Sequence, residues 1–144
     1  MKELVIYTSK AVGKQSEITW SFYAVAYDNG VEMGEVAAQI GHSRAEYGAM
    51  GADLKGVMAG LLWAKKNGYD TVSVYYTYEG TAKWVTGEWR ARSEMASTYR
   101  EWMLRIGKEM NHVEFVKATV ENRTEMHYAY LLACSALKDV IMPK

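Results

Sequence analysis

The sequence predicts an α/β domain, a sheet with helices packed on both of its faces. Three observations carry that reading. Short runs rich in β-branched and aromatic residues recur along the chain, two of them joined by the turn-forming Asp28-Asn29-Gly30. Longer segments space their apolar residues at the helical period. The two kinds then interleave as three strands, a helix, a strand, helices, a strand and a helix, an order that needs a sheet covered on both sides.

The first strand is Leu4-Val5-Ile6-Tyr7-Thr8, which runs into Ser9. Ile18 to Tyr27 is β-rich, the Asn-Gly pair supplies a hairpin turn, and Val31 onward returns as the partner strand. Met50, Leu54, Val57, Met58, Leu61 and Leu62 then share one face of a long helix, which Gly68 is placed to end. Asp53 is expected in the first turn of that helix, at the margin of its buried face. Thr71 to Thr77 reads as a strand, Thr81 to Gly87 as a short helix, and Tyr99, Trp102, Met103 and Ile106 as the apolar stripe of another. A strand from His112 to Val120 and a terminal helix from about Thr124 to Asp139 complete the chain. In that last helix Ala129, Leu132, Ala133, Ala136, Leu137 and Val140 form the expected core stripe. His127, Tyr130, Leu131 and Cys134 make a second one at i, i+3, i+4, i+7. Two apolar stripes mean a helix that buries a second side, lines a pocket or meets a partner, scattered exposure being the plainer alternative.

The 144 residues suit a single domain spanning 1–144, with no linker, repeat or low-complexity block and one proline, Pro143, at the tail. Seventeen basic residues balance seventeen acidic ones, so composition gives no electrostatic pull toward nucleic acid or an anionic membrane. A single cysteine excludes an internal disulfide framework and fits a reducing, cytoplasmic setting. The first residues enter a strand directly, with no apolar run suited to a signal peptide or a membrane span.

Three segments carry a family likeness. Tyr7-Thr8-Ser9-Lys10-Ala11 stands where a "YTDGS" motif would be. Tyr75-Tyr76-Thr77-Tyr78-Glu79-Gly80 with Trp84 and Gly87-Glu88-Trp89 follows "YYDYEG…W..GEW". Ala129-Tyr130-Leu131-Leu132-Ala133 replaces "ADxLA". Over nearly its whole length the chain resembles the ribonuclease H family, which implies a mixed sheet. The resemblance places that family's Asp, Glu, Asp and Asp at Ser9, Asp53, Thr77 and Tyr130. Only Asp53 is still an acid. A two-metal nuclease needs carboxylates to hold two divalent ions, and magnesium binds weakly where anionic oxygens are few. Glu121 and Glu125, near the last helix, read as solvated loop acids. Neither a metal nor another cofactor is expected, and ribonuclease H chemistry is excluded on this reading. Departures also surround the same cleft at Tyr47-Gly48-Ala49-Met50-Gly51 and at Ala118-Thr119-Val120-Glu121-Asn122. Trp84-Val85-Thr86-Gly87-Glu88-Trp89 keeps the family look. That clustering suggests an engineered scaffold with an emptied, relined active site, a natural degenerate relative that binds nucleic acid without cleaving it being the alternative.

Several residues are candidates for new chemistry. Ser9, His127 and Asp53 could form a nucleophile, a base and an orienting acid for acyl transfer. The plainer and preferred reading keeps Ser9 as a neutralised position, Asp53 as a helix-terminal acid and His127 as solvated. Cys134 would need a base, and His127 lies seven residues along the same helix, about 10 Å at ~1.5 Å per residue. His42 or His112 would have to approach from elsewhere, so packing is preferred. Lys10, walled by Trp20, Met50, Met126 and Tyr130, could act as a Schiff-base amine, although most strand-end lysines simply reach water. Trp84 and Trp89 with Arg90, Arg92 and Arg100 suggest base stacking and phosphate contacts, weakened by Glu88, Glu94 and Glu101. The combined expectation is a nuclease-inactive domain, a monomer or weak homodimer. Its relined cleft, with Thr77 on the wall, would take a small molecule, with ester hydrolysis through Ser9 or Cys134 as its first reaction. The competing class is an interaction protein that uses the last helix.

Overall fold

The computed structural model describes residues 3–12, 19–41, 45–119 and 123–141, and gives the backbone alone at 12, 19, 20, 38–41, 45–49 and 135–141. Its elements are β1 (Glu3–Val12), β2 (Thr19–Asp28), β3 (Val31–Gly41), α1 (Ala45–Lys66), β4 (Thr71–Tyr76), α2 (Gly80–Thr86), α3 (Glu94–Glu109), β5 (His112–Lys117) and α4 (Thr124–Ile141). The five strands lie in the order β3-β2-β1-β4-β5. The first three are antiparallel, and β1, β4 and β5 are parallel, which makes the sheet mixed.

The β2–β3 hairpin turns through Asn29 and Gly30, both at positive φ (52° and 83°), the backbone that matches the strands' twist and that this dipeptide adopts most readily. Gly68, at φ 86°, ends α1, and the Tyr69 amide donates back to the Ala64 carbonyl. Ser93 caps α3 by accepting from the Ala96 amide at 3.1 Å.

Strand alternation divides the core between the two sheet faces. Leu4 and Ile6 of β1 join Leu54, Val57 and Leu61 of α1, together with Tyr99, Met103 and Ile106 of α3. Tyr7 and Ala11 of β1 instead join Met126, Ala129 and Ala133 of α4. Helices thus cover both faces, as expected. Three details differ from the sequence reading. Leu62 is exposed, because it lies about 100° around the helix from buried Leu61. Asp53 is eight residues into α1, so it is an interior residue and no helix-terminal acid. The last strand ends at Lys117, short of Val120, which like His42 and Glu121 is outside the described residues. No helix among the described residues is long and apolar enough to cross a membrane.

Candidate functional site

The cleft begins where β1 and β4 stop pairing. Their last parallel rung joins Tyr7 to Tyr75, and Thr8 Oγ1 donates to the Tyr75 carbonyl at 3.0 Å, pinning the two strands together at that end. Ser9 and Thr77 each follow two residues beyond this rung. Ser9 is buried and Thr77 half-buried. Side-chain alternation assigns Ser9 to the face that carries α4, with Tyr7 and Ala11. It assigns Lys10 to the opposite face, with Leu4 and Ile6.

Asp53 comes to that second face from α1. Its carboxylate is buried, and Lys10 Nζ sits 2.6 Å from Oδ2, with the lysine side chain 27% exposed against 7% for the aspartate. Burial raises the Asp53 carboxyl above its ordinary range, and the Lys10 ammonium opposes that shift. The Tyr78 hydroxyl is raised by burial and then by the Asp53 charge. The Tyr99 hydroxyl is raised by burial, Tyr76 and Asp53, in that order, and donates to the Thr81 carbonyl at 2.6 Å.

The candidate residues do not assemble into the sets proposed for them. Asp53 is held by Lys10, while His127 faces solvent and Ser9 is buried, so no Ser9–His127–Asp53 relay forms. As the ammonium half of an ion pair, Lys10 has no lone pair to offer a carbonyl carbon. Its imagined apolar wall is also divided. Met126 is fully buried on the α4 face, whereas Met50 packs against the core of the α1 face. Trp20 pairs through its backbone with Val12 in the β1–β2 ladder. Tyr130 is 38% exposed, and its hydroxyl hydrogen-bonds the half-buried Cys134 thiol one turn on, which raises the tyrosine pKa. His127, Tyr130 and Leu131 are exposed, so most of the second stripe of α4 lies on the surface, while Cys134 packs against the core of the inner face.

This donor set does not fit a pair of divalent ions. The four positions to which the sequence resemblance points carry two hydroxyls, an exposed phenol and one carboxylate already paired with an ammonium, whereas hard cations need several anionic oxygens. Among the described residues no group of three or more His, Cys, Asp or Glu could hold a metal.

Two hollows lie elsewhere. A cavity of about 490 Å³ between α1 and α3 is walled mainly by apolar groups, including Leu54, Met58, Met95 and Tyr99, with Gly51 and Ser93 at its edges. Sequence reasoning missed it because it depends on how two distant helices meet. A second hollow of about 350 Å³ is bordered by Trp89, Arg90, Ser97, Arg100 and Glu101. Arg100 there spends its Nε on the Trp84 carbonyl at 2.9 Å, and Lys83 sits over the Trp89 ring.

A family profile described as reverse transcriptase-like matches residues 11–136 of the chain. No curated protein matches it. Among solved structures it is similar to RNase H1 from Halobacterium salinarum NRC-1, at 18% identity and TM-score 0.76, over 96% of this chain and 99% of that one. It is also similar to the N-terminal RNase H domain of a Mycobacterium tuberculosis protein, at 14% identity and TM-score 0.77, over 96% and 98%. A third similar structure is LC11-RNase H1 in complex with an RNA/DNA hybrid, at 17% identity and TM-score 0.73, over 92% and 96%. With the sheet order, the helices on both faces and a profile match over most of its length, the chain belongs to the reverse transcriptase-like family and has the ribonuclease H-like fold.

Proposed function

We propose that this domain binds an RNA–DNA hybrid without cleaving it. The observation that carries the loss of cleavage is the Lys10–Asp53 ion pair, which commits the one remaining carboxylate to a fixed ammonium. Binding is supported by the hollow at Trp89, where exposed Arg90 and half-buried Arg100 border an aromatic face with exposed Arg92 two residues on from Arg90, and by the hybrid held by LC11-RNase H1 on the same fold. That likeness weighs against the expectation, drawn from neutral composition, that nucleic acid is not a partner. A local basic rim is compatible with zero net charge.

The 490 Å³ cavity favours a second reading, a small apolar ligand held between α1 and α3. This keeps the expectation of a small-molecule site but moves it away from Ser9, Thr77 and Tyr130. Ester hydrolysis gains no support, since the half-buried Cys134 thiol is a hydrogen-bond partner of Tyr130 and both His127 and His112 are exposed. The reading of an engineered scaffold rests on the clustering of substitutions around the cleft and adds no chemistry of its own.

One set of measurements tests these readings. Anisotropy of a labelled hybrid should rise on titration with the protein in chelator and in millimolar magnesium alike. The RNA strand should stay intact on a gel, and the affinity should fall with salt and with Arg90→Ala plus Arg92→Ala. Magnesium-dependent cleavage would overturn the first half of the proposal, and no binding even at low salt the second. An apolar dye whose emission responds to the protein, and ceases to respond in Gly51→Leu, would support the cavity reading.

A further inference from the structure

We infer that the Lys10 ammonium is the resident cation of the old metal cleft, so placed beside Asp53 that the fold neither recruits nor requires a divalent ion there. Four observations support this. The Nζ lies 2.6 Å from Oδ2, and the lysine reaches it from the cleft rim, its side chain 27% exposed while the carboxylate is 7% exposed. A carboxylate this buried needs a compensating positive charge or several donors. The buried Tyr99 hydroxyl is not such a donor, since it is spent on the Thr81 carbonyl at 2.6 Å. Lys10 is also held in place by its backbone, since it pairs with Phe22 in the β1–β2 ladder two residues after Thr8 clamps β1 to β4.

The consequence for metal is electrostatic. An ion on Asp53 would stand within a few Å of a fixed ammonium of the same sign, and among the described residues no group of three or more His, Cys, Asp or Glu is there to hold it. A lysine has therefore taken over the charge-balancing half of a metal's task, and none of its chemistry. The inference deepens the non-cleaving half of the proposed function, since both rest on the Lys10–Asp53 pair. Hybrid binding can fail while this stands, because the two are read by different experiments.

A double-mutant cycle on the full chain provides the test. Lys10→Met keeps the aliphatic stem and removes the charge, leaving a buried carboxylate alone. It should lower the thermal midpoint by about 5–10 °C. Adding Asp53→Asn to that variant should restore most of the loss, because no uncompensated charge then remains. Midpoint losses that simply add, or a Lys10→Met protein as stable as the parent, would overturn the inference. If Lys10→Met fails to fold, recovery of a folded protein in the double variant gives the same answer, and failure of both overturns it. Manganese provides an independent readout. In the parent protein, submillimolar Mn²⁺ should leave the amide signals of Gly51 to Leu54 unbroadened, and selective broadening there would show that a cation still enters.

Discussion

Asp53 also gives the protein a pH signature. Its folded pKa is raised above the ordinary 3.8, chiefly by burial, with Lys10 opposing. An acid raised on folding contributes stability that is fully present below the unfolded pKa and is lost as pH rises through the folded value. The stability of the parent relative to Asp53→Asn should therefore decline as pH rises from about 3.8. In Lys10→Met the decline should extend to higher pH, because the opposing charge is gone. The other groups facing Asp53, Tyr78 and Tyr99, are themselves raised and stay neutral across this window. Midpoints of the three proteins between pH 3 and 8 would check this, and a flat difference would contradict it. The family was legible from short motifs, those that contain Ser9, Thr77 and Tyr130. The ion pair was not, because it joins residues 43 apart in sequence. A signal was nonetheless present, since strand parity puts Lys10 with Leu4 and Ile6, on the side that α1 must cover.

In α4 the two apolar stripes separate into a structural face and a surface face. Met126, Ala129 and Ala133 are fully buried, whereas Leu131 is half exposed. Met126→Ala should cost about 2–5 kcal/mol in urea unfolding, through lost transfer energy and the cavity left behind. Leu131→Glu should change stability by no more than about 0.5 kcal/mol, as expected of a surface position. Comparable losses for the two would mean that the helix is rotated from its described position. Periodicity was enough to find this helix and its inner stripe. It could not say whether Tyr130 and Leu131 are covered, since that depends on what stands beyond the helix and not on the helix itself. Leu62 failed for a related reason: adjacent apolar residues widen a stripe on paper, but the sheet below α1 has room for only part of it.

At the scale of the whole molecule, turn chemistry, helix stops and strand number were readable locally. The order β3-β2-β1-β4-β5 followed from family likeness, and the cavity between α1 and α3 followed from neither. The edge of that sheet is tied down in an unusual way. A Cβ added at Gly34 in β3 would overlap the Trp63 indole, so the ring of α1 rests directly on the edge strand's backbone. The same indole stacks on Tyr69 at 6.2 Å, and the Tyr69 hydroxyl donates to Asp28, at the mouth of the β2–β3 turn, at 2.9 Å. One tryptophan thus bridges the tail of α1, the edge strand and, through Tyr69, the hairpin. In hydrogen-exchange terms these segments should open as one sub-global unit, more readily than the strands at the centre of the sheet. Gly34→Ala should speed exchange at β3 amides and shift Trp63 emission in proportion, leaving β1 and β4 protected. Equal acceleration in all the strands would mean that the edge does not open alone. Under native conditions, the first part of this fold to let go would then be its outermost strand, released by the movement of a single indole ring.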